Sequence, residues 1–157
     1  MDETDKKILE LVQKAEYCKP NLTALSEQLK LSVPTLHARI KKLEDRGIIQ
    51  GYMANVDPKK AGEDMTIFII IRVEYKSFYE DEGKQREFAK KLTEIPEVKE
   101  VHICGSDWDY LIKVRVKDAD DYYKVAMEKI MPLGHIKKLE SVVAYTTFKD
   151  TTQVAIR

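Results

Sequence analysis

The sequence has few cysteines and histidines, and neither type is clustered. Cys18 and Cys104 form no CxxC pair, so we expect two thiols in a reducing compartment rather than a disulfide or a metal site. The three histidines are scattered, unlike the closely spaced ligands of a metal centre. The sequence also lacks a phosphate-binding loop and a nucleophile with a neighbouring base. These absences predict a protein that is not an enzyme and needs no cofactor or metal.

Long apolar runs are also missing. None approaches the roughly 18 residues that identify a membrane-spanning helix, and the acidic opening from Met1 to Asp5 is unlike the basic start of a secretory signal. Hydrophobic residues make up 43% and charged residues 34% of the chain, which is typical of a soluble globular protein. We therefore expect a cytoplasmic protein with no membrane partner.

Neither sign of charge is in excess, because 27 basic residues balance 27 acidic ones. This balance argues against an indiscriminate nucleic-acid binder. A basic surplus is present locally. Between Lys30 and Arg46, five basic residues stand against only Glu44 and Asp45.

Three helices are predicted before residue 47. The first runs from about Asp5 to Ala15 with Thr4 as its N-cap, and the second from about Thr23 to Leu29 with Thr23 or Asn21 as its cap. The third follows the short connection 30–32 and ends before Gly47. Its expected N-cap is Ser32, its first turn contains Pro34, and its buried stripe is expected to be Val33, Leu36, Ile40 and Leu43.

Two helices joined by three residues, followed by a short apolar strand or wing at 48–52, predict a DNA-binding winged helix-turn-helix. Small Thr35 and Ala38 let the third helix lie close in the major groove, and Arg39 can contact phosphate or guanine. The alternative is an ordinary helical hairpin with solvated lysines, but the spacing, cap and wing favour DNA binding. The predicted DNA-binding residues are Ser32, Pro34, Thr35, His37, Ala38, Arg39, Lys41 and Lys42.

The rest of the chain changes from helical to mixed periodicity. Strands are predicted at 66–73, 98–103, 110–116 and 139–148, with helices at 84–94 and 118–131. This β-α-β-β-α-β order is that of a ferredoxin-like domain, so the fold class is α+β. Two helices cover one face of the sheet, and the other face is a candidate oligomer interface. We expect a DNA-binding domain at 1–52, a hinge at 53–65 and an effector-sensing, oligomerising domain at 66–157.

Several motifs resemble those of the leucine-responsive regulator (Lrp)/AsnC family of transcription regulators. They are Asp2-x-x-Asp5-x-x-Ile8-Leu9, Leu25-Ser26-x-x-Leu29-x-Leu31-Ser32, Arg39-Ile40-x-x-Leu43-Glu44-x-x-Gly47-Ile48-Ile49-x-Gly51-Tyr52, Asp57-Pro58 and Asp109-Tyr110-Leu111. The resemblance covers nearly the whole chain. It implies sequence-specific transcription regulation by a homodimer, or by an assembly of dimers that is commonly octameric, modulated by an amino acid.

The turn at 105–110 resembles the effector loop of that family. Gly105 permits an unusual backbone conformation, bare N–H groups can hold a carboxylate, and Asp107 or Asp109 can meet an ammonium group. By resemblance, Ser141 of a neighbouring subunit completes the pocket. The usual family glycine is Ser106 here, and the usual threonine pair is Leu139 and Ser141. The predicted effector residues are Gly105, Ser106, Asp107, Trp108, Asp109 and Ser141.

Other interpretations stay open. The turn at 105–110 can be a plain hairpin turn in which Trp108 only packs. The protein can be a DNA-organising protein without an effector. Sirohaem decarboxylases share the two-domain architecture, but the second domain has no histidine-rich motif to support that chemistry. Residues 151–157 have no role that the sequence identifies.

Overall fold

The computed structural model describes residues 2–12, 21–74, 82–105 and 107–156. Its contacts divide the chain into two compact units. The helical unit consists of Met1–Asn55 together with Lys149–Arg157, and the sheet unit consists of Val56–Phe148. The sequence placed a hinge at 53–65 and assigned everything after it to one domain. The contacts differ at the C-terminal end, because residues 149–157 group with the helical unit.

Helix α1 spans Glu3–Val12 and begins two residues earlier than the sequence indicated, so Thr4 lies inside it. Asp2 occupies the capping position instead. The backbone N–H of Asp5 donates to Asp2 Oδ1 at 2.9 Å, and the N–H of Asp2 donates to Asp5 Oδ2 at 3.1 Å. This reciprocal pair is a capping box built from two aspartates. The predicted end of the first helix, Cys18 and the break at Pro20 fall outside the described residues.

Helix α2 spans Leu22–Leu29, and Asn21 is its N-cap, accepting the N–H of Ala24. Helix α3 spans Val33–Asp45 and begins at the predicted cap Ser32, with Pro34 in the first turn. Between them Lys30 has a left-handed backbone, which turns the chain within three residues. After α3, Gly47 adopts φ +66°, a conformation that favours glycine. The predicted short strand at 48–52 is not formed: residues 48–56 are described and contain no strand.

One core holds the helical unit together. Leu25, Leu36 and Leu43 are almost completely buried at its centre. Its other buried members are Ile8, Leu9, Leu11 and Ile40, and the half-buried residues around it are Leu22, Leu29, Ile49 and Ile156. Ile156 is the notable member, since it belongs to the segment for which the sequence gave no role. The end of the chain therefore packs on the same core as the three helices.

The sheet unit has the predicted β-α-β-β-α-β order. Strand β1 (Met65–Val73) is followed by helix α4 (Glu82–Thr93), strands β2 (Val98–Ile103) and β3 (Tyr110–Val116), helix α5 (Ala119–Lys124) and strand β4 (Ile136–Ala144). The strands lie in the order β2-β3-β1-β4, and every pair is antiparallel. Strand β4 begins three residues earlier and ends four residues earlier than predicted.

The two faces of this sheet differ in burial. Alternate residues of β1 and β3 point towards the helices and are fully buried, including Ile67, Ile69, Ile71, Ile112 and Val114. They pack with Phe88 and Leu92 of α4, with Ile95 after it, and with Val125 and Ile130. The opposite face, here called the open face, carries half-buried residues of β1 such as Phe68 and Ile70.

The last helix of the sheet unit changes its winding. Asp118 caps α5 as predicted, accepting the N–H of Asp121 at 2.9 Å. The chain continues as a π-helical turn at Val125–Ile130 and a 3₁₀ turn at Met131–Leu133. A sequence pattern analysed at 3.6 residues per turn does not predict the π-helical or the 3₁₀ turn. Val125 and Ile130 of the π-helical turn lie in the core.

Candidate DNA-recognition helix and effector loop

Helix α3 presents most of the predicted DNA-binding residues to solvent. Ser32 Oγ accepts the N–H of Thr35 at 3.3 Å, and the two hydroxyl oxygens are 2.7 Å apart, so both side chains stabilise the first turn. Leu36, Ile40 and Leu43 point into the core and fix the rotation of the helix. The exposed predicted residues are Ser32, Pro34, Thr35, His37, Ala38, Lys41 and Lys42.

Val33 differs from the prediction. The helical spacing placed it on the buried stripe with Leu36, but 39% of its surface is exposed. As the first residue of α3, it lies beyond the reach of the core that covers Leu36 and Ile40. Sequence reasoning therefore missed an exposed apolar side chain at the tip of the helix.

Arg39 also differs from the prediction, which left its guanidinium available to guanine or phosphate. Its Nη1 donates to Asp2 Oδ2 at 2.7 Å and to Asp5 Oδ1 at 3.0 Å. The bond from Arg39 lowers the pKa of Asp2, and the bonds to Asp2 and Asp5 raise the pKa of Arg39. The side chain of Asp5 is only 9% exposed. Arg39 therefore ties α3 to the capping box of α1. We call the ion pairs of Arg39 with Asp2 and Asp5 the aspartate clamp.

The two flanks of α3 have different chemistry. Thr35, Ala38 and Lys42 line a shallow depression beside the aspartate clamp. On the other flank, His37 and Lys41 line a second depression with Tyr52. The hydroxyl of Tyr52 donates to Glu44 Oε1 at 3.0 Å, and burial together with this bond raises the pKa of Tyr52 to about 12. Positive side chains thus lie on both sides of an uncharged first turn.

In the sheet unit, the predicted effector turn is anchored by Asp109. Its Oδ2 accepts the N–H of Val73 at 2.8 Å, its own N–H donates to the carbonyl of Ile71 at 2.9 Å, and its carbonyl accepts the N–H of Cys104 at 2.8 Å. Asp109 is 9% exposed. Its carboxylate is therefore engaged with the end of β1, whereas the sequence suggested that it can meet a ligand's ammonium group.

Trp108 lies close to two cations. The Arg72 guanidinium carbon is 5.2 Å from the centroid of the indole ring, and Lys138 Nζ is 5.1 Å from it. Arg72 and Lys138 are cross-strand neighbours on β1 and β4. Arg72 Nε also donates to the backbone carbonyl of Asp107 at 2.6 Å, so the Asp107 side chain stays exposed. Both cations lie on strands beside the predicted effector turn, and sequence reasoning missed them, although an arginine at the end of an apolar strand was a usable signal.

The other predicted effector residues are placed as follows. Gly105 is exposed, its φ is outside the left-handed region, and an added Cβ would meet nothing within 4 Å, so it does not adopt the unusual backbone conformation that glycine permits. Ser106 lies outside the described residues. Ser141 is hydrogen-bonded to the hydroxyl of Tyr122 on α5. Its β1 partner is Ile69, which places it on the helix side of the sheet, away from the open face.

Comparison with known proteins covers both units. The family model described as the Lrp/AsnC ligand-binding domain matches residues 66–154, and that described as a winged helix-turn-helix DNA-binding domain matches residues 1–50. Within the described residues, no helix is both long and apolar enough to cross a membrane.

The curated relatives match over almost their whole length. An uncharacterized HTH-type transcriptional regulator of Pyrococcus furiosus is 34% identical over 96% of both chains. The HTH-type transcriptional regulator FL11 of Pyrococcus horikoshii is 30% identical over 100% of this chain and 97% of its own.

Two solved structures of transcriptional regulators are similar to this chain over almost its whole length. An AsnC family transcriptional regulator from Agrobacterium tumefaciens is 30% identical and superposes with a TM-score of 0.87, covering 99% of this chain and 97% of its own. A transcriptional regulator of Neisseria meningitidis, solved as its L-Met complex, is 26% identical with a TM-score of 0.84, covering 99% and 96%. With both units matched in one chain, the protein belongs to the Lrp/AsnC family of HTH-type transcriptional regulators.

Proposed function

We propose that this protein is a homo-oligomer that binds specific double-stranded DNA sequences through α3 and changes its DNA binding when an amino acid binds to the sheet unit. The observation that carries the proposal is the presentation of α3. Three buried side chains and the aspartate clamp fix the helix, while its N-terminal turn remains exposed. A recognition helix reads base edges mainly through its N-terminal residues.

Electrostatics support DNA as the partner. Lys41 and Lys42 are exposed on α3, and neither is held in an ion pair with a described residue. Lysines in this position neutralise phosphates and fix the register of the helix on the duplex. The N-terminus of α3 also directs its positive dipole outward, which favours contact with a phosphate.

The open face of the sheet unit supports a homo-oligomer. Phe68 pairs across the strands with Val142, which is 52% exposed, and Ile70 pairs with Leu111. Apolar side chains so close together on an uncovered sheet face favour association. A second copy of the chain is the partner that this face suits, because a two-fold interface also supplies two recognition helices for two half-sites.

Two observations support an amino-acid effector. The sheet unit matches a ligand-binding domain, and the related N. meningitidis regulator was solved with L-Met. Arg72 and Lys138 add positive charge beside the turn at 105–110, which suits a carboxylate. Asp109, by contrast, is committed to the N–H of Val73. This commitment favours the second candidate function, a DNA-organising protein that needs no effector.

The test is an electrophoretic mobility shift of the purified full chain on the DNA upstream of its own gene. Each of the twenty amino acids is added separately, and a shuffled duplex of the same composition is the control. A shift specific to the native duplex and altered by one amino acid is the expected result. A specific shift that no amino acid changes supports the organising function, and equal shifts on both duplexes contradict sequence-specific binding.

A further inference from the structure

The first turn of α3 exposes mostly carbon. Val33 is 39% exposed, Pro34 next to it is exposed, and Ala38 is exposed one helical turn after Pro34. Thr35 is exposed too, but its hydroxyl is bonded to the capping hydroxyl of Ser32, which leaves its methyl as the remaining group of the side chain. A single exposed apolar residue has no special meaning. Four neighbouring residues that offer methyl and methylene groups at the tip of a recognition helix form a surface with its own chemistry.

The hydrogen-bond donors of α3 that are long enough to read bases lie outside its first turn, His37 one turn after Val33 among them. The one arginine of α3, Arg39, is held by Asp2 and Asp5 in the aspartate clamp, so its guanidinium is not directed at a guanine edge. Lys41 is two turns from the N-terminus of α3, and Lys42 lies on the flank near the clamp. The turn that enters the groove first is therefore the part of the helix least able to make bidentate polar contacts.

Apolar groups on the protein pair with apolar groups on the DNA. Among the atoms that base pairs present in the major groove, the C5 methyl of thymine is the apolar one, and small apolar side chains contact it. Guanine and adenine instead offer acceptors and donors that call for arginine, asparagine or glutamine. Val33, Pro34 and Ala38 match the first chemistry.

We propose that the first turn of α3 and the adjoining Ala38 read thymine through its methyl group, with Val33 and Ala38 as specificity-determining residues. This assignment deepens the proposed function and rests on it. The preferred half-site has thymine at the one or two base pairs facing this turn. Burial of one methyl group contributes a factor of about four in affinity.

The experiment starts with selection of preferred duplexes from a random-sequence library by the full-length protein. Each thymine of a selected duplex is then replaced by uracil, which keeps both carbonyls and loses only the methyl group. Binding is measured by fluorescence anisotropy. We expect one or two thymines per half-site at which uracil weakens binding about fourfold, and no effect at the remaining positions.

Variants identify the residue that contacts the methyl group. Val33→Ala removes two exposed methyl groups, so thymine and uracil duplexes should bind equally at the position that Val33 faces. Val33→Ile keeps the apolar contact and should keep the fourfold difference, which also shows that change at this site is tolerated. Lys42→Ala is the matched control on the same helix. It should weaken every duplex alike and leave the uracil effect intact.

The outcomes separate the two proposals. If selection enriches no sequence, sequence-specific binding fails, and thymine reading fails with it. If a duplex is enriched but uracil is tolerated at every position, the proposed function stands and thymine reading is overturned. If the uracil effect persists unchanged in Val33→Ala and Ala38→Ser, these two residues are not the ones that read the methyl group.

Discussion

Removing the carboxylate of Asp109 is expected to destabilise the sheet unit, because that carboxylate satisfies a buried backbone group. In Asp109→Ala, the N–H of Val73 loses the acceptor that lies 2.8 Å away, while the two backbone hydrogen bonds of residue 109 can remain. Leaving a buried donor without a partner costs about 1–3 kcal/mol. The loss in free energy of unfolding should fall towards the middle of this range, since Asp109 is 9% exposed.

The matched control is Asp107→Ala. Asp107 precedes Asp109 by two residues and is exposed, and the bond from Arg72 reaches its backbone carbonyl, which the substitution keeps. Its free energy of unfolding should stay within about 0.5 kcal/mol of the original protein. Asp109→Asn retains a carbonyl oxygen that can accept the N–H of Val73, so it should lie between the two alanine variants.

The measurement uses the single tryptophan of the chain, Trp108, which belongs to the sheet unit. Its fluorescence during urea unfolding follows that unit without the signal of the helical unit. Protein concentration must be identical for all variants, because association of folded chains shifts the midpoint. Equal midpoints for Asp109→Ala and Asp107→Ala would refute the reasoning and leave the Asp109 carboxylate available to a ligand.

Two further predictions concern the open face and the aspartate clamp. Ile69→Asp buries an unpaired charge under the helices, which should cost more than about 4 kcal/mol and unfold the sheet unit. Ile70→Asp places the charge on the open face, so the sheet unit should stay folded by circular dichroism while self-association is lost in analytical ultracentrifugation. An intact oligomer of folded Ile70→Asp would contradict the proposed interface. Arg39→Met should accelerate amide hydrogen exchange in α3 at neutral pH relative to Lys42→Met. The difference between the two variants should shrink as the pH falls through the lowered pKa of Asp2, because a carboxylate whose pKa is lowered in the fold stabilises the fold above its ordinary pKa of 3.8 and loses that contribution on protonation. A difference that does not depend on pH would exclude Asp2 from the clamp.

Local patterns predicted the elements of this fold well. Ser32 and Asp118 cap their helices, the β-α-β-β-α-β order along the chain follows from alternation and turns, and the family resemblance is confirmed by comparison over both units. These features depend on interactions between residues a few positions apart, which sequence spacing predicts directly.

The differences come from relations that a local pattern does not contain. Val33 has the spacing of a buried residue, but burial also requires core atoms over the whole side chain, and 39% of Val33 is exposed at the first position of α3. Arg39 looked available because its partners are 34 and 37 positions away. The role of Asp109 depends on Val73, 36 positions away. The sequence thus located the segments of the candidate site, whereas the contacts of individual side chains could be found only from the fold.

The helical unit is discontinuous in sequence, and this has a consequence for its folding during synthesis. Residues 149–157 emerge from the ribosome after the entire sheet unit, so Ile156 can reach the core of the three helices only as the last step. The three helices must therefore persist without this contact while more than half of the chain is made.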